Sequence, residues 1–273
     1  MQLSLGYRAV EILRQNIIKK QDVDEISAWL KKESLPVYSD EQIIQFLLAC
    51  NSVVDATKKT IQTYGEISNS CNEIFSNKNV TRADLQKYLK VAEICVLPER
   101  TDDGCVVLFN RLVDTNYKNF ELGAYFTILT MAIESALFEY PVNGLIIVID
   151  VSGTTWKHMF CLRLDLIRIY SHFLQEGLPV RLRKVCLINS SPILDTFMTV
   201  LRPFTKSEVM EKVNTFKAGD IESFYEKCLP KRLLPLDYGG EMPSVKILHE
   251  NQVEKFKTLG NYFDAEEKQR KLE

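Results

Sequence analysis

Two short segments without a polar face limit what this chain can fold into. Leu145–Ile149 and Val185–Ile188 are each continuously apolar, and a stretch long enough for a helix lies between them. Such strands are typical of parallel sheets whose two faces are both covered by other elements. Leu162–Leu174, within that stretch, has the apolar periodicity of a helix. We therefore predict βαβ units and a largely parallel sheet.

The rest of the pattern divides the chain into a helical first part and an α/β second part. In the first part, Ser39–Gln42 has the sequence of a helix capping box, and 53–67 and 81–92 show helical spacing. In the second part, Val106–Phe109 is a further apolar strand, and Phe120–Phe138 is typical of a long helix that is apolar on nearly every side. The predicted fold class is α/β.

The composition excludes several classes of protein. The 273 residues are 46% hydrophobic, which is enough for a large core and unlike a disordered chain. Lys and Arg number 34 against 36 Asp and Glu, a net charge of -2, so we expect no nucleic-acid partner. No apolar run reaches the ~20 residues of a membrane span. The seven cysteines form no C-x-x-C pair, and we expect reduced, mostly buried thiols in a cytosolic protein.

The familiar catalytic and cofactor motifs are missing from the sequence. The three histidines show no metal-ligand spacing to one another or to cysteine. No Gly-x-Ser-x-Gly, Gly-x-Gly-x-x-Gly or Walker sequence occurs, and these would mark a nucleophile, a dinucleotide site or a phosphate site. We therefore expect no enzyme activity, no catalytic residue, no resident metal and no cofactor.

Asp150, Ser152 and Thr154 directly follow a predicted strand, at the edge where open α/β sheets bind ligands. One interpretation is a metal-dependent binding or phosphoryl-transfer module that uses these three residues. Aspartyl-phosphate chemistry would want a second aspartate two residues after Asp150, and Ser152 stands there instead. The other interpretation is a polar strand end that caps the next helix.

The stretch 190–216 combines an amphipathic helix with a proline bend. The helix has apolar residues at i, i+3, i+4 and i+7, which are Leu194, Phe197, Met198 and Leu201. Ser191–Pro192 suits its start, Pro203 would end it, and Thr205–Glu208 has the sequence of a capping box for a second helix. The stretch is either a kinked core helix or a movable flap over an apolar cavity.

The same region carries the clearest positive charge of the chain. Between Val180 and Lys206, five basic residues stand against the single acidic residue Asp195. This surface is either a solvated rim or a contact for an anionic membrane, where each basic residue contributes roughly 1 kcal/mol.

Four segments, in their order and spacing, resemble the CRAL-TRIO family. They are Leu145–Asp150, Leu178–Asn189, Leu201–Phe204 and Leu234–Gly240. Upstream, Asp40–Cys50 is similar to the helical segment that precedes the domain of this family. The likeness covers about residues 20–263, and within the family it is greatest to the branch of tocopherol-transfer and retinaldehyde-binding proteins.

The resemblance implies both a fold and a function. The fold is an N-terminal helical bundle (1–92), a mixed, mostly parallel sheet whose flanking helices enclose a lipid cavity (93–263), and a charged tail (264–273). A gate helix, 192–212, would cover the cavity. The function is that of a cytoplasmic carrier, which we expect to be a monomer. It would bind one tocopherol, retinoid, carotenoid, sterol or phospholipid and meet anionic membranes transiently.

The carrier hypothesis predicts a set of apolar side chains around the ligand. They are Phe126, Leu129, Ile133, Ile147, Ile149, Phe160, Leu164, Leu187, Leu194, Phe197, Met198 and Leu201. Leu129 and Ile133 stand where the tocopherol-binding branch has serines, so we expect a more apolar cavity than in that branch.

The resemblance also implies a contact with a phosphoinositide headgroup through Arg181, Arg183 and Lys212. Leu48, Cys50 and Glu208 stand where family members carry basic residues, which leaves fewer positive charges for this contact. A further hypothesis is a protein-interaction domain that has kept the fold and lost its ligand.

Overall fold

The computed structural model describes residues 3–272 and contains a five-stranded sheet. Its strands, in spatial order, are β1 (Ala92–Val96), β2 (Cys105–Leu112), β3 (Gly144–Asp150), β4 (Leu182–Ser190) and β5 (Val213–Lys217). β1 pairs antiparallel with β2, and the other neighbours pair parallel. The mixed, mostly parallel sheet is thus confirmed. Residues 1 and 2 of the predicted N-terminal domain and residue 273 of the predicted tail lie outside the described residues.

Helices cover both faces of the sheet. They are α1 (Ala9–Leu13), α2 (Lys20–Lys32), α3 (Asp40–Ala49), α4 (Val54–Ser70), α5 (Asn72–Phe75), α6 (Ala83–Tyr88), α7 (Leu122–Glu139), α8 (Leu164–His172), α9 (Ile193–Leu201), α10 (Ser207–Met210), α11 (Ile221–Lys227), α12 (Val245–Thr258) and α13 (Gly260–Lys271). By length and composition α7 could cross a membrane, but 78% of it is buried inside the fold. It is the central helix of the core.

Alternate residues of the strands belong to two separate apolar cores. Leu108 and Ile147 join the core that contains the N-terminal helices, α7 and α8. Val107 and Val148 join the other core, together with α11 and the segment 229–248. Successive side chains of a strand point to opposite faces, so β3 is continuously apolar because both of its faces are buried.

The predicted helix 81–92 is only partly present. α6 ends at Tyr88, and Ala92 begins β1, which was not predicted. β1 lies at the edge of the sheet, and the N–H of Ile94 donates to Nδ1 of His249 in α12 at 3.1 Å. This partner is 155 residues away in sequence, so the local pattern could not indicate the strand.

The predicted charged tail, 264–273, does not form a separate segment, because α13 covers most of it and packs into the core. Glu266 and Arg270 are buried in spite of their charge. Oε2 of Glu266 lies 2.7 Å from Nζ of Lys78, which also contacts Glu134 at 2.6 Å. The mutual pairing of these charges is what makes their burial tolerable.

The expectation of reduced thiols is wrong for Cys186 in β4 and Cys228 after α11, which form a disulfide. Their Cα atoms are 6.8 Å apart although 42 residues separate them in sequence. Both belong to the core that α11 shares with the sheet, so the pairing is a consequence of the tertiary fold. The cysteines without a disulfide are Cys50, Cys71, Cys95, Cys105 and Cys161.

Candidate ligand-binding site

An apolar cavity of about 320 Å³ lies between one face of the sheet and the helices that pack on that face. Ile147 of β3 and Leu187 of β4 contribute to the sheet side of its lining. α7, α8 and the 3-10 helix Trp156–Cys161 contribute to its sides, and α9 contributes the cover. The parallel sheet brings these elements together although they are far apart in sequence.

Nine of the twelve predicted lining residues border this cavity. They are Phe126, Leu129, Ile147, Ile149, Leu187, Leu194, Phe197, Met198 and Leu201. They lie on α7, β3, β4 and α9, elements that the sequence predicted from their apolar residues. Their contact with a ligand stays a prediction.

Three predicted lining residues do not border the cavity. Ile133 lies one helical turn after Leu129, where α7 packs into the core. Phe160 is 72% exposed, and Leu164 is also exposed. For Phe160 the reason is that residues 156–161 form a 3-10 helix, whose three-residue turn directs His158 rather than Phe160 to the cavity. Leu164 is the first residue of α8 and lies on the exposed side of that helix.

The gate stretch has one amphipathic helix and not two. The apolar face of α9 borders the cavity, while Asp195 and Thr199 on its other side are exposed. α9 begins at Ile193, one residue later than predicted. The predicted capping box Thr205–Glu208 does not form, and α10 is a single turn. Instead, the Thr205 hydroxyl donates to the carbonyl of Leu201 at 3.0 Å.

A side-chain bridge holds the proline bend against the π-helical turn Phe173–Gly177. Nε2 of Gln175 donates to the carbonyl of Phe204 at 3.0 Å, and its Oε1 accepts from the backbone N of Lys206 at 2.7 Å. Nζ of Lys206 also pairs with Glu176 at 2.8 Å. The bend is therefore anchored, while the cavity-facing side of α9 is held by apolar contacts.

Sequence reasoning missed an aromatic part of the cavity wall. It consists of Tyr88, Phe120, Tyr125 and Tyr170. Tyr170 stacks on Phe126 with ring centroids 4.1 Å apart, and the Tyr125 hydroxyl donates to Oδ1 of Asn110 at 2.9 Å. Burial raises the pKa of Tyr125 and of Tyr170, so both phenols keep their protons. Tyr88, Tyr125 and Tyr170 all lie in stretches that the sequence predicted to be helical, but helical spacing does not show which residues border a cavity.

Asp150 is engaged by neighbouring protein groups. Its Oδ1 accepts from the backbone N and the hydroxyl of Ser152 at 2.8 and 2.6 Å. Its Oδ2 accepts from the Tyr238 hydroxyl at 2.5 Å. Across residues 3–272, no three His, Cys, Asp or Glu side chains are grouped so that they could hold a metal ion. The geometry therefore favours the polar strand end over the metal or phosphoryl site with Thr154, although the next helix, Trp156–Cys161, has Thr155 and not Asp150 at its N-cap.

The three predicted headgroup residues lie at the amino edge of the sheet. Arg181 and Arg183 stand at the start of β4, and Lys212 precedes β5, the parallel neighbour of β4. Arg183 is exposed. Arg181 is half-buried, and its Nη2 donates to the carbonyl of Leu48 at 3.1 Å. The structure thus brings three positive charges to one edge, and their contact with a phosphoinositide stays a prediction.

Known proteins of similar sequence and fold were found for most of the chain. Alpha-tocopherol transfer protein-like of Mus musculus is 27% identical over 228 residues, which are 81% of this chain and 64% of that protein. The protein of the same name from Homo sapiens is 26% identical over 81% of this chain and 65% of its own length. The chain thus spans just under two thirds of the length of these relatives.

Comparisons of fold and of family agree with each other. The crystal structure of Sfh5 superimposes with a TM-score of 0.55 over 84% of this chain and 90% of that chain, at 14% identity, which is a likeness of fold. A model of the Pinta-like UBA domain matches residues 16–85. The model of the CRAL/TRIO domain matches residues 90–240, the part that contains the sheet, α9 and most of the cavity lining. The chain belongs to the CRAL/TRIO domain family.

Proposed function

We propose that the chain carries one small hydrophobic molecule of the tocopherol, retinoid, carotenoid, sterol or phospholipid class, without catalysis. The observation that supports this most is the apolar cavity of about 320 Å³, because protein interiors are close-packed and keep few voids larger than a water molecule. Burial of the ligand supplies the affinity: ten methylenes contribute about 8 kcal/mol before the costs of association.

Native mass spectrometry of the purified protein tests the carrier function. A co-purified lipid, or the uptake of added α-tocopherol, retinol or cholesterol at one molecule per chain, is the expected result. A protein that arrives empty and takes up none of these lipids would instead favour an interaction domain that has lost its ligand.

In this proposal α9 is the gate. Its cavity-facing side chains would contact the ligand when the gate is closed, and the proline bend that Gln175 anchors would act as the pivot. A movable gate explains how a ligand reaches a cavity whose other walls are the sheet and the packed helices.

Phe197→Ala is expected to lower ligand affinity by about 1–3 kcal/mol, the scale of one buried apolar side chain. The stability of the ligand-free protein should change less than for Phe109→Ala, because Phe109 is fully buried on the opposite side of the sheet and a core Phe→Ala costs roughly 3–5 kcal/mol. Ligand titration and thermal unfolding on the same samples measure both effects. If Phe197→Ala lowered the melting temperature as much as Phe109→Ala, and the folded fraction of Phe197→Ala bound ligand normally, then α9 would be part of the permanent core and not a gate.

An exposed aromatic patch beside the cavity is the surface that we propose for membrane docking. It consists of Trp156, Phe160 and Leu164, and Trp156 is 58% exposed. Trp156 and Phe160 pack edge to face with centroids 5.4 Å apart. His158, in the same turn, borders the cavity, so the patch lies on the outer side of a cavity wall. Exposed aromatic side chains of this kind suit the interface between water and lipid.

Vesicle sedimentation should separate the aromatic and the basic contributions to docking. We expect Trp156→Ser with Phe160→Ser to weaken binding to phosphatidylcholine vesicles both with and without phosphatidylinositol bisphosphate. Arg183→Glu with Lys212→Glu should weaken only the binding to the anionic vesicles, and added salt should remove that difference because it screens exposed charges. If both double variants bound all vesicles like the parent, these surfaces would not dock to membranes.

A further inference from the structure

Two residues of the cavity wall each carry a buried polar atom without a hydrogen-bond partner. Across residues 3–272, four buried side-chain polar atoms lack a partner, and two of them belong to residues that border the cavity. They are the hydroxyl of Tyr88, a residue 1% exposed, and Nε2 of His158, a residue 3% exposed. An unpaired buried donor has lost its hydrogen bonds to water without a replacement, and native proteins keep few of them.

Both atoms are hydrogen-bond donors. Nδ1 of His158 lies 3.1 Å from the backbone N of Thr155; that N–H can only donate, so Nδ1 accepts and the proton of the neutral ring lies on Nε2. Burial lowers the pKa of His158, which keeps the ring neutral. Burial raises the pKa of Tyr88 well above its usual value, which keeps the phenol protonated.

The rings that carry the two donors lie in the same part of the wall. The ring of Phe120, itself a lining residue, contacts both: its centroid is 5.8 Å from that of Tyr88 and 5.9 Å from that of His158. Tyr125 and Asn110, two other polar lining residues, already have partners within the protein. The Tyr125 hydroxyl donates to Asn110, whose Nδ2 donates in turn to the carbonyl of Val148 at 3.0 Å.

We propose that the ligand is a neutral apolar molecule with an oxygen acceptor at one end, a hydroxyl or a carbonyl, and that this oxygen binds between Tyr88 and His158. The proposal rests on the carrier function and narrows its ligand class. An ionised carboxylate fits less well, because the guanidinium of the lining residue Arg111 is already paired with Glu93 at 2.7 Å and Asp237 at 3.1 Å. A buried charge without a partner is strongly unfavourable.

Matched lipids test the proposal directly. The probes are cholesterol against cholestane, and hexadecanol against hexadecane and hexadecanoate, with affinity measured by titration. In the parent protein we expect each alcohol to bind roughly tenfold more tightly than its hydrocarbon, which corresponds to about 1.4 kcal/mol, and more tightly than the carboxylate.

Tyr88→Phe is expected to reduce this preference for the alcohol several-fold and to leave the melting temperature of the ligand-free protein unchanged or higher, because it removes an unpaired hydroxyl. Tyr125→Phe is the matched control, since it also removes a phenol from the cavity wall. It should lower the melting temperature, because it leaves Asn110 without its donor, and it should keep the preference for the alcohol.

Two outcomes would overturn the inference while the carrier function stands: hydrocarbon or carboxylate bound as tightly as the alcohol by the parent, or an unchanged preference in Tyr88→Phe. A parent protein that bound none of the probes and held no co-purified lipid would overturn the carrier function and the inference with it.

Discussion

Replacement of Lys78 by methionine is expected to lower the free energy of unfolding by about 3–5 kcal/mol, the scale for breaking a buried ion pair. The side chain of Lys78 is 1% exposed, and its ammonium group contacts Glu134 and Glu266. Without it, two buried carboxylates share the single positive charge of Arg270, which is 3.1 Å from Glu266. Burial acts to raise the pKa of Glu266, but Lys78 and Arg270 outweigh it and hold that pKa below its usual value.

The expected loss is large because this cluster joins three distant parts of the chain. Lys78 follows α5, Glu134 lies on α7 and Glu266 lies on α13. The Tyr64 hydroxyl of α4 donates to Glu266 at 2.6 Å, and Arg270 donates to the carbonyl groups of Ser68 and Phe75, both at 2.8 Å. Every charge is therefore compensated only when all the segments are docked.

Lys20→Met is the matched control for this prediction. Lys20 also contacts two carboxylates, Asp24 at 2.8 Å and Asp40 at 2.9 Å, but its side chain is exposed. Exposed ion pairs contribute about 0–1 kcal/mol. Urea unfolding measures both variants, and similar losses for Lys20→Met and Lys78→Met would show that burial does not set the strength of the cluster. Glu134→Gln, added to Lys78→Met, should recover part of the loss because it replaces a buried carboxyl group that has lost its cationic partner; burial raises the pKa of this group to about 7 even beside Lys78.

The sequence predicted two kinds of element. The first is stabilised by contacts between residues that are close in sequence, and the second leaves a recognisable run of apolar residues because it is buried. The capping box of α3 is present with both of its bonds, since Ser39 and Gln42 are three residues apart. β3 and β4 were predicted because burial on both faces leaves a continuous apolar run. β5 was not predicted, because it is short and its exposed residues interrupt the apolar pattern.

The candidate site, too, was predictable only where the position of a residue follows from the pattern of its own helix or strand. The lining face of α9 follows from helical periodicity, but the wall residue Tyr88 borders the cavity only because α6 packs on α7. Phe160 and Leu164 are apolar and close in sequence to lining residues, so pattern alone assigned them to the cavity. The structure shows that both face outward: the 3-10 helix 156–161 turns Phe160 away from the cavity, and Leu164 is exposed at the start of α8.

Gly240→Ala is expected to destabilise the protein by about 3 kcal/mol or more, beyond the usual range for an overpacked site. A Cβ at Gly240 would lie 1.9 Å from the carbonyl oxygen of Leu234 and 2.4 Å from its carbonyl carbon. These are backbone atoms of a fully buried residue, so no side-chain rotation relieves the contact. The Leu234 carbonyl also accepts from the backbone N of Met242 at 3.0 Å, and a shift of either side of this loop would break that bond.

The loop 234–242 matters beyond its own stability because it carries Tyr238, whose hydroxyl donates to Asp150 at the end of β3. Gly65→Ala is the control: Gly65 lies within α4 with open space around the added methyl group, and the change should stabilise by about 0.5–1 kcal/mol through helix propensity. Urea unfolding of both variants measures the contrast. Equal stability of Gly240→Ala and the parent would mean that the loop accommodates a Cβ, and its close approach to Leu234 would then not fix the position of Tyr238.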